Sequence, residues 1–394
     1  MRLAPFAGLA VLAAVLGGAA AVGLSQLFGV GDDGSRTVYV SVPVAGSNAG
    51  GATVPPELGN GFDPASIYAR RAPGVVTIYA ELDGAGNSQG SGFVVDEKGT
   101  ILTNAHVITN VGESPATVRG ADRVYVEFRD GERVPASIVG WDLFADVGVI
   151  SVRPSAHPVT PLPLGDSAAV VVGTPVAAIG SPFGNQSSLA VGVVSATGRS
   201  IPSLTSRYAV ADAIQIDAPI NRGNSGGPLL DSRGRVIGIN AQIRSNSGTA
   251  EGVGFAIPIN VARRSLEQLA ATGRVVYAYI GITTQDVTPG LSRHFRLGAP
   301  RGALVAEVEP DTPAARAGIE GGARRESYNG EDVTLGGDLV VRIGDRPVRS
   351  SEDVSRIVSE ELLPGQRVSF TIVRDGTRRT VPVVLGERPL GSSG

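Results

Sequence analysis

A serine lies among closely spaced glycines in Gly223-Asn224-Ser225-Gly226-Gly227-Pro228, and this stretch is the part of the chain best suited to chemistry. Glycines let the main chain bend without a Cβ clash, so a hydroxyl can be presented beside free backbone N–H groups. Such N–H groups stabilise the oxyanion that forms when a hydroxyl attacks a carbonyl carbon. An ordinary turn is the alternative in a chain with 54 glycines, but the whole hexapeptide fits the first interpretation. We predict that Ser225 is a nucleophile and that the N–H groups of Gly223 and Ser225 form an oxyanion hole.

A serine hydroxyl is a weak nucleophile and needs a base, which is most often a histidine. The chain has three histidines. His106 lies in Ile101–Val107, an apolar strand that runs into a short polar turn, whereas His157 lies in a proline-flanked loop and His294 lies between an arginine and a phenylalanine. Only the surroundings of His106 could hold an imidazole in a fixed orientation, so we predict that His106 is the base.

The base in turn needs a carboxylate that fixes its tautomer. Asp146 precedes the apolar run Val147–Ile150, which places a carboxylate at the mouth of a predicted core strand. Asp142 is the alternative, and Asp217 is expected to shape a substrate pocket or to pair locally. The order histidine, aspartate, serine along the chain is the order of chymotrypsin-like enzymes.

These motifs, together with others along most of the chain, resemble those of the HtrA (Deg-type) serine proteases. The further matching segments are Ser91–Val94, Thr103–Val107, Ala178–Gly184, Gly192–Ala196, Asp217–Asn221 and Gly254–Asn260. Two positions depart from the family pattern: Arg222 replaces a common proline, and Gly148 replaces a common alanine. Arg222 leaves the resting shape of the oxyanion loop open.

The resemblance implies a serine endoprotease that degrades unfolded or damaged exported proteins, and it implies a homotrimer. It also places the specificity wall at Ile239, Asn240 and Ala241, whose modest size predicts cleavage after small aliphatic residues. One alternative is a latent or inactive protease that acts as a chaperone or adaptor. An acyl hydrolase is a further alternative, and it would need a pocket for lipid.

Short valine-rich runs separated by Gly, Asp and Pro turns predict a mostly β fold. We expect a chymotrypsin-like double β-barrel over residues 62–274, followed by an α+β PDZ domain over residues 275–390. Asp63 and Pro64 predict the start of a short helix. A helix over Val261–Ala271, capped by Asn260 and stopped at Gly273, is predicted to lead into the second domain.

The second domain carries a candidate peptide-binding site. Tyr279, Ile280, Gly281 and Ile282 match the loop whose N–H groups bind a C-terminal carboxylate in PDZ domains, so C-terminal peptides are predicted ligands. Two helices are predicted. One runs over Thr312–Gly318, capped at its start and stopped at the glycine, and the other over Ser350–Leu362, with Ser350 and Asp353 as a capping box. Residues 321–337 are polar and resemble an insertion.

The first thirty residues form a nearly uncharged apolar segment that is long enough to cross a bilayer. Residues 1–30 are therefore predicted to be a single-pass membrane anchor, with the domains on the extracytoplasmic side. A cleaved signal peptide, giving a secreted or periplasmic protein, is the alternative. Residues 31–61 are expected to form a flexible linker.

Composition narrows the range of partners. A net charge of −3 gives no reason to expect nucleic acid as a partner. The chain has no cysteine, which excludes disulfides and thiolate metal sites. No cluster with metal-ligand spacing is found in the sequence, so neither a metal nor any other cofactor is predicted.

Overall fold

The computed structural model describes residues 61–82, 86–110, 118–181, 188–206, 208–220, 223–241 and 253–390. The predicted membrane anchor and linker, apart from residue 61, lie outside the described residues, as do Asn221 and Arg222. None of the helices in the described part of the chain has the length and apolar character that a membrane crossing requires.

Six strands close the first barrel in the order β1-β2-β3-β6-β5-β4. They are β1 Val75–Leu82, β2 Gly86–Val94, β3 Thr100–Thr103, β4 Arg123–Glu127, β5 Arg133–Asp142 and β6 Val147–Ser151. Closure leaves no unpaired strand edge in such a barrel. Its interior is filled by fully buried aliphatic side chains such as Ile78, Ile101 and Val126.

A second set of six strands closes in the order β10-β11-β12-β9-β8-β7. They are β7 Pro175–Gly180, β8 Ser188–Pro202, β9 Ala209–Ile216, β10 Pro228–Leu230, β11 Val236–Ala241 and β12 Gly254–Pro258. The two consecutive antiparallel barrels agree with the predicted chymotrypsin-like fold.

One hydrophobic cluster joins the two barrels. Phe93 and Leu102 of the first barrel pack in it with Ile179, Leu230 and Ile239 of the second. Burial of this shared surface favours a fixed arrangement of the barrels. Residues that end strands at this junction are therefore held in fixed positions, and the candidate catalytic residues lie in such segments.

Two short helices lie in the first part of the protease domain, and the second of them carries the candidate histidine. Helix α1, Pro64–Arg71, begins as predicted, because the Asp63 side chain accepts the N–H of Ser66 at 3.0 Å. A 3-10 turn, Ala72–Gly74, leads from it into β1. Helix α2, Ala105–Ile108, is a single turn that follows β3 and carries His106.

Helix α3, Ile259–Thr272, connects the second barrel to the following domain. It ends at Gly273, as predicted, and this glycine has a left-handed backbone with φ 72°. The prediction that Asn260 caps the helix is wrong, because Pro258 occupies the N-cap and Asn260 lies inside the first turn. The Asn260 side chain instead donates to Asp166 Oδ1 at 2.7 Å.

The remaining strands form the C-terminal domain. The main sheet has the order β14-β15-β18-β20-β21, with β19 paired to β18. Its strands are β14 Ile282–Val287, β15 Gly302–Val308, β18 Leu339–Ile343, β19 Arg346–Pro347, β20 Arg367–Arg374 and β21 Thr377–Val384. Two small sheets lie beside it. One pairs β13 Ala278–Tyr279 with β22 Gly386–Glu387, and the other pairs β16 Arg324–Tyr328 with β17 Glu331–Leu335. The polar segment over residues 321–337, which resembles an insertion, is therefore largely the β-hairpin of β16 and β17.

Three helices complete this domain: α4 Pro289–Phe295, α5 Pro313–Ala317 and α6 Ser351–Arg356. Helix α5 is capped by Thr312 and stopped by Gly318, as predicted. Helix α6 is shorter than predicted, because the chain changes to a π-helical turn over Ile357–Glu361. Asp353 N–H donates to Ser350 Oγ, but the Asp353 carboxylate accepts from Arg349 and leaves the predicted capping box incomplete.

Candidate active site

His106 and Asp146 form a close pair at the end of β3 and the start of β6. His106 Nδ1 lies 2.7 Å from Asp146 Oδ2, and the His106 backbone N–H donates to Asp146 Oδ1 at 3.0 Å. Burial disfavours the imidazolium, but the charge and hydrogen bond of Asp146 outweigh burial and raise the pKa of His106. The imidazole is thus held with Nδ1 toward the carboxylate, which leaves Nε2 as the nitrogen for proton transfer.

The Asp146 backbone is fixed as tightly as its side chain. Its φ is 54°, in the left-handed region that side chains other than glycine seldom adopt. Its carbonyl accepts from Ala105 N–H at 3.2 Å and from Asn104 Nδ2 at 2.8 Å. Such backbone conformations persist where the surroundings determine them, and they cluster at functional sites.

The loop that carries Ser225 packs against the first barrel. Ser91 N–H donates to the Ser225 carbonyl at 2.9 Å, and Ser91 Oγ donates to the Gly223 carbonyl at 2.5 Å. Ser91 Oγ also accepts the Ser181 N–H at 2.8 Å. Ser91 therefore joins the nucleophile loop to both barrels, a role that its residue type alone did not reveal.

Gly226 brings the same loop against the histidine segment. It has φ +86°, and a Cβ at this position would lie 2.2 Å from the Ser91 carbonyl oxygen and 2.4 Å from Thr103 Oγ1. Only glycine fits this close approach. Gly226 N–H donates to the Asn240 carbonyl at 2.9 Å, which ties the loop to β11.

The N–H groups of Gly223 and Ser225 differ from those that follow them. Gly226 and Gly227 donate to backbone carbonyls. Within the described ranges, no acceptor is found for the N–H of Gly223 or of Ser225. Donors without a partner next to a serine hydroxyl are suited to binding an oxyanion.

Ser225 is 4% exposed, and its Oγ has no hydrogen-bond partner among the described residues. The hydrogen bond from Ser225 to His106 that proton transfer requires is thus not made in this conformation. Catalytic hydrogen bonds are often long in the unliganded state and tighten when substrate is bound. Of the contacts that the predicted triad requires, the one between His106 and Asp146 is already formed.

The predicted specificity wall lies on β11. Ile239 is fully buried in the cluster between the barrels. Asn240 is also fully buried, and its Nδ2 donates to the carbonyls of Ile179 at 3.4 Å and Pro228 at 3.2 Å. Ala241 is 5% exposed. Asn240 also exchanges backbone hydrogen bonds with Gly226 and Gly227 of the loop that carries Ser225. The role of these three residues in substrate selection stays a prediction.

The other candidate acids make contacts elsewhere. Asp217 Oδ1 accepts the Val193 N–H at 2.6 Å, which is the local pairing foreseen as one of its two possible roles. The Asp142 carboxylate accepts from Ser265 Oγ and Tyr277 OH at 2.7 and 2.6 Å. These two hydrogen-bond donors to Asp142 lie in the chain that leads to the C-terminal domain.

The two remaining histidines lie in other environments. His157 Nε2 is 3.0 Å from Asp130 Oδ2, and its ring stacks on Phe128 with centroids 3.8 Å apart. The His294 ring packs against Tyr328 with centroids 5.0 Å apart. Neither pairing includes Ser225 or Asp146.

A groove in the C-terminal domain contains the four residues predicted to bind a peptide carboxylate. The cavity has a volume of about 360 Å³ and lies between β14 and α6. Its lining includes Tyr279, Ile280, Gly281, Ile282, Val354 and Val358. Because β14 is an edge strand of its sheet, an extended peptide could pair with it as an added strand.

Among the lining residues that sequence reasoning missed are two that lie outside the strands and helices that frame the groove. Tyr208, from the segment between β8 and β9 of the second barrel, lines it, as does Arg388 after β22. The Arg388 guanidinium lies over the Tyr208 ring at 5.0 Å from its centroid. These residues are far from the loop in sequence, and no local pattern marks them.

The chain matches two family models. A trypsin-like peptidase domain matches residues 90–239, and a PDZ domain matches residues 278–385. The probable periplasmic serine endoprotease DegP-like of Hahella chejuensis (strain KCTC 2396) is 40% identical over 307 residues, covering 78% of this chain and 59% of that protein. The protein of the same name from Pseudomonas fulva (strain 12-X) is 37% identical, covering 88% of this chain and 66% of that one. The chain thus spans less than two thirds of each relative's length.

Solved structures also match, and this chain covers nearly all of their length. The HtrA-type protease AlgW with tripeptide has a TM-score of 0.67 at 33% identity, covering 82% of this chain and 97% of that one. The serine endoprotease from Yersinia pestis has a TM-score of 0.58 at 31% identity, with the same coverages of 82% and 97%.

Proposed function

Because the chain belongs to the HtrA family of serine proteases, we propose that it is a serine endoprotease that uses His106, Asp146 and Ser225 as a catalytic triad. The contact between His106 Nδ1 and Asp146 Oδ2, at 2.7 Å, is the observation that carries this proposal. It is made beside a serine loop whose two candidate oxyanion donors have no acceptor among the described residues.

Catalysis begins when Ser225 Oγ attacks the carbonyl carbon of a peptide bond and His106 Nε2 takes the hydroxyl proton. Asp146 stabilises the resulting imidazolium and keeps Nε2 directed at the serine. His106 then gives the proton to the leaving amine. Water hydrolyses the acyl-enzyme by the same route, with His106 again as the base.

The N–H groups of Gly223 and Ser225 stabilise the negative oxygen of each tetrahedral intermediate. Removal of one such donor costs about 3 kcal/mol of transition-state stabilisation in related chemistry. The hydrogen bond between Ser225 Oγ and His106 has still to form before attack, so binding of substrate is expected to complete the triad.

Unfolded or damaged polypeptides are the proposed substrates, because a cleft between barrels accepts an extended chain and folded proteins rarely offer one. The curated relatives are named as periplasmic endoproteases, which supports an extracytoplasmic location. The apolar segment at residues 1–30 would bring the chain to the membrane, as a retained anchor or as a cleaved signal peptide.

The PDZ groove is the proposed regulatory site. A peptide that adds to β14 and presents its carboxylate to the N–H groups of Tyr279–Ile282 would also meet Tyr208 of the second barrel. Peptide binding would thereby act on the protease domain directly. Assembly into a homotrimer belongs to the same proposal, and exposed Val191 and Val193 on β8, with exposed Val171 and Val172 just before β7, offer apolar surface for it.

The test is degradation of an unfolded model protein by the parent and by Ser225→Ala, with and without an apolar C-terminal peptide. Cleavage by the parent alone supports the triad, and stimulation by peptide supports regulation through the PDZ groove. Suppressed aggregation of the client by both proteins, without cleavage by either, would instead favour the chaperone or adaptor. Turnover of intact lipid but not of unfolded protein would favour an acyl hydrolase.

A further inference from the structure

Asp142 is a buried carboxylate at the end of β5, four residues before Asp146. It is 1% exposed. Its Oδ1 accepts the N–H groups of Phe144 and Ala145 at 2.9 and 3.2 Å. These two bonds fix the turn that ends at Asp146, where the backbone enters its left-handed conformation.

The second carboxylate oxygen of Asp142 accepts hydrogen bonds from residues that lie outside the first barrel. Asp142 Oδ2 accepts from Ser265 Oγ on α3 at 2.7 Å and from Tyr277 OH at 2.6 Å. Tyr277 lies after α3, in the segment that leads into the PDZ domain. A buried carboxylate is costly unless it is hydrogen-bonded, and Asp142 receives four hydrogen bonds, one from each of Phe144, Ala145, Ser265 and Tyr277.

The turn makes further contacts with the same region. The Phe144 ring meets the Tyr277 ring edge-on with centroids 5.2 Å apart, and Arg388 lies over both rings, at 5.5 and 5.3 Å from their centroids. Thr205 Oγ1 donates to the Leu143 carbonyl. Thus Phe144 and Ala145 are bonded to Asp142, Leu143 is held by Thr205, and the Phe144 ring also contacts Tyr277 and Arg388.

From these contacts we infer that Asp142 is a positioning residue for the catalytic aspartate Asp146, and that the Tyr277 hydroxyl makes this positioning depend on the segment that joins the protease and PDZ domains. The inference rests on the proposed function, because it concerns the acid of the proposed triad. Asp142 does not touch the substrate. It acts by holding the turn whose last residue contacts His106.

The variants Asp142→Ala and Asp142→Asn differ in how many of these hydrogen bonds they keep. Alanine removes all four hydrogen bonds, whereas asparagine keeps an Oδ1 that accepts from Phe144 and Ala145. Displacement of a catalytic group by an ångström costs on the order of 100-fold in rate. We expect kcat on unfolded protein to fall about 100-fold for Asp142→Ala and less than about 10-fold for Asp142→Asn, with KM nearly unchanged in both.

Tyr277→Phe and Ser265→Ala each delete one donor and leave the carboxylate in place. Ser292→Ala is the matched control for the second, because Ser292 Oγ is also a buried hydroxyl, bonded to the Ala299 carbonyl at 2.6 Å within the PDZ domain. We expect Tyr277→Phe and Ser265→Ala each to lower kcat several-fold, and we expect Ser292→Ala to leave it unchanged. If Asp142→Ala does not fold, these two variants carry the test.

Two readouts distinguish positioning from a purely structural role. The acidic limb of the pH–kcat profile, which reports His106, should move to lower pH in Asp142→Ala, because a displaced Asp146 stabilises the imidazolium less. The downfield proton resonance of His106 Nδ1–H, recorded on the full chain, should weaken or shift in the same variant. This signal needs no activity, so a failed assay of proteolysis would not hide it.

Two outcomes would overturn the inference. One is an Asp142→Ala protein that unfolds more easily but keeps the parent's kcat, acidic limb and His106 resonance. The other is a set of hydroxyl deletions in which Ser265→Ala and Tyr277→Phe behave like Ser292→Ala.

Discussion

The ring of Tyr208, from the second barrel, stands edge-on to the ring of Tyr279 in the PDZ loop, with centroids 6.4 Å apart. Tyr279 OH in turn donates to Glu309 Oε2 at 2.6 Å. A residue of the protease domain therefore lies at the mouth of the groove that is proposed to bind peptides. This contact gives peptide binding a short route to the second barrel.

We predict that Tyr208→Ala lowers the stimulation of proteolysis by a C-terminal peptide. An aromatic pair contributes about 0.5–1.5 kcal/mol beyond its buried area, so the stimulation should fall by about 2- to 10-fold. The measurement is a dose–response curve of cleavage against peptide concentration. Tyr125→Ala, on β4 of the first barrel, is the control, and an equal loss in that variant would show that Tyr208 has no special part.

We predict that Asp146→Asn lowers kcat by about four orders of magnitude and moves the acidic limb of the pH profile. Asp146 raises the pKa of His106, and only the neutral imidazole acts as base, so parent activity is lost as pH falls through this raised value. Removing the carboxylate's charge lowers the pKa of His106, and the remaining activity should persist to lower pH. A residual activity with an unshifted limb would mean that His106 titrates independently of Asp146.

Local patterns predicted those parts of the fold that depend on neighbours in sequence. The Asp63 cap of α1, the Gly273 stop of α3 and the Thr312 cap of α5 are set by backbone groups within a few residues. Asn260 failed as a cap because the helix begins before it, after Pro258, and its side chain binds the more distant Asp166. The π-helical turn after Arg356 has no local signal in the sequence.

The residues of the candidate site also fall into those that local sequence predicts and those that it does not. The glycines around Ser225, and the aspartate before a core strand, pointed to the loop and to the His106–Asp146 pair. The surroundings of Asp142, Ser91 and Tyr208 depend on contacts across 135, 132 and 71 residues of chain, the last between Tyr208 and Tyr279. Spacing within one segment cannot reveal such contacts, because only the closed barrels and the docked PDZ domain create them.

We predict that Gly226→Ala destabilises the protein and abolishes activity. Its Cβ would lie 2.2 Å from the Ser91 carbonyl oxygen, in a backbone conformation that alanine disfavours. Overpacking of this kind typically costs about 1–3 kcal/mol. Gly376→Ala is the control, since its φ is +73° but nothing lies within 4 Å of the added Cβ. Urea unfolding of both variants checks this, and equal midpoints would contradict the close approach seen here.

Glu360 lies at the contact between the domains and provides a pH-dependent element. It lines a cavity together with Val210 and Ala211 of the second barrel. Burial is the main cause that raises the pKa of Glu360 to about 7, and the negative charges of Asp212 on β9 and of Glu361 add to the rise. The positive charges of Arg356 and Arg264 oppose it. The pKa of Asp212 is also raised by its burial. Ionisation of Glu360 therefore disfavours the docked arrangement.

We predict that the protease–PDZ contact weakens as pH rises from 5 to 8. A carboxyl whose pKa is raised in the docked state binds its proton more tightly there, so docking is fully favoured below its ordinary value of about 4.5. The undocked form gains stability as pH rises above that value, and the effect is complete above about 7. The midpoint of thermal unfolding should fall by a few degrees over this range in the parent and by less in Glu360→Gln. The protection of residues 351–361 against hydrogen exchange, corrected for the intrinsic effect of pH, should fall in the parent but not in Glu360→Gln. Glu326→Gln, on the exposed hairpin, should retain the parent's pH dependence, and an identical slope in all three proteins would assign the effect to other groups.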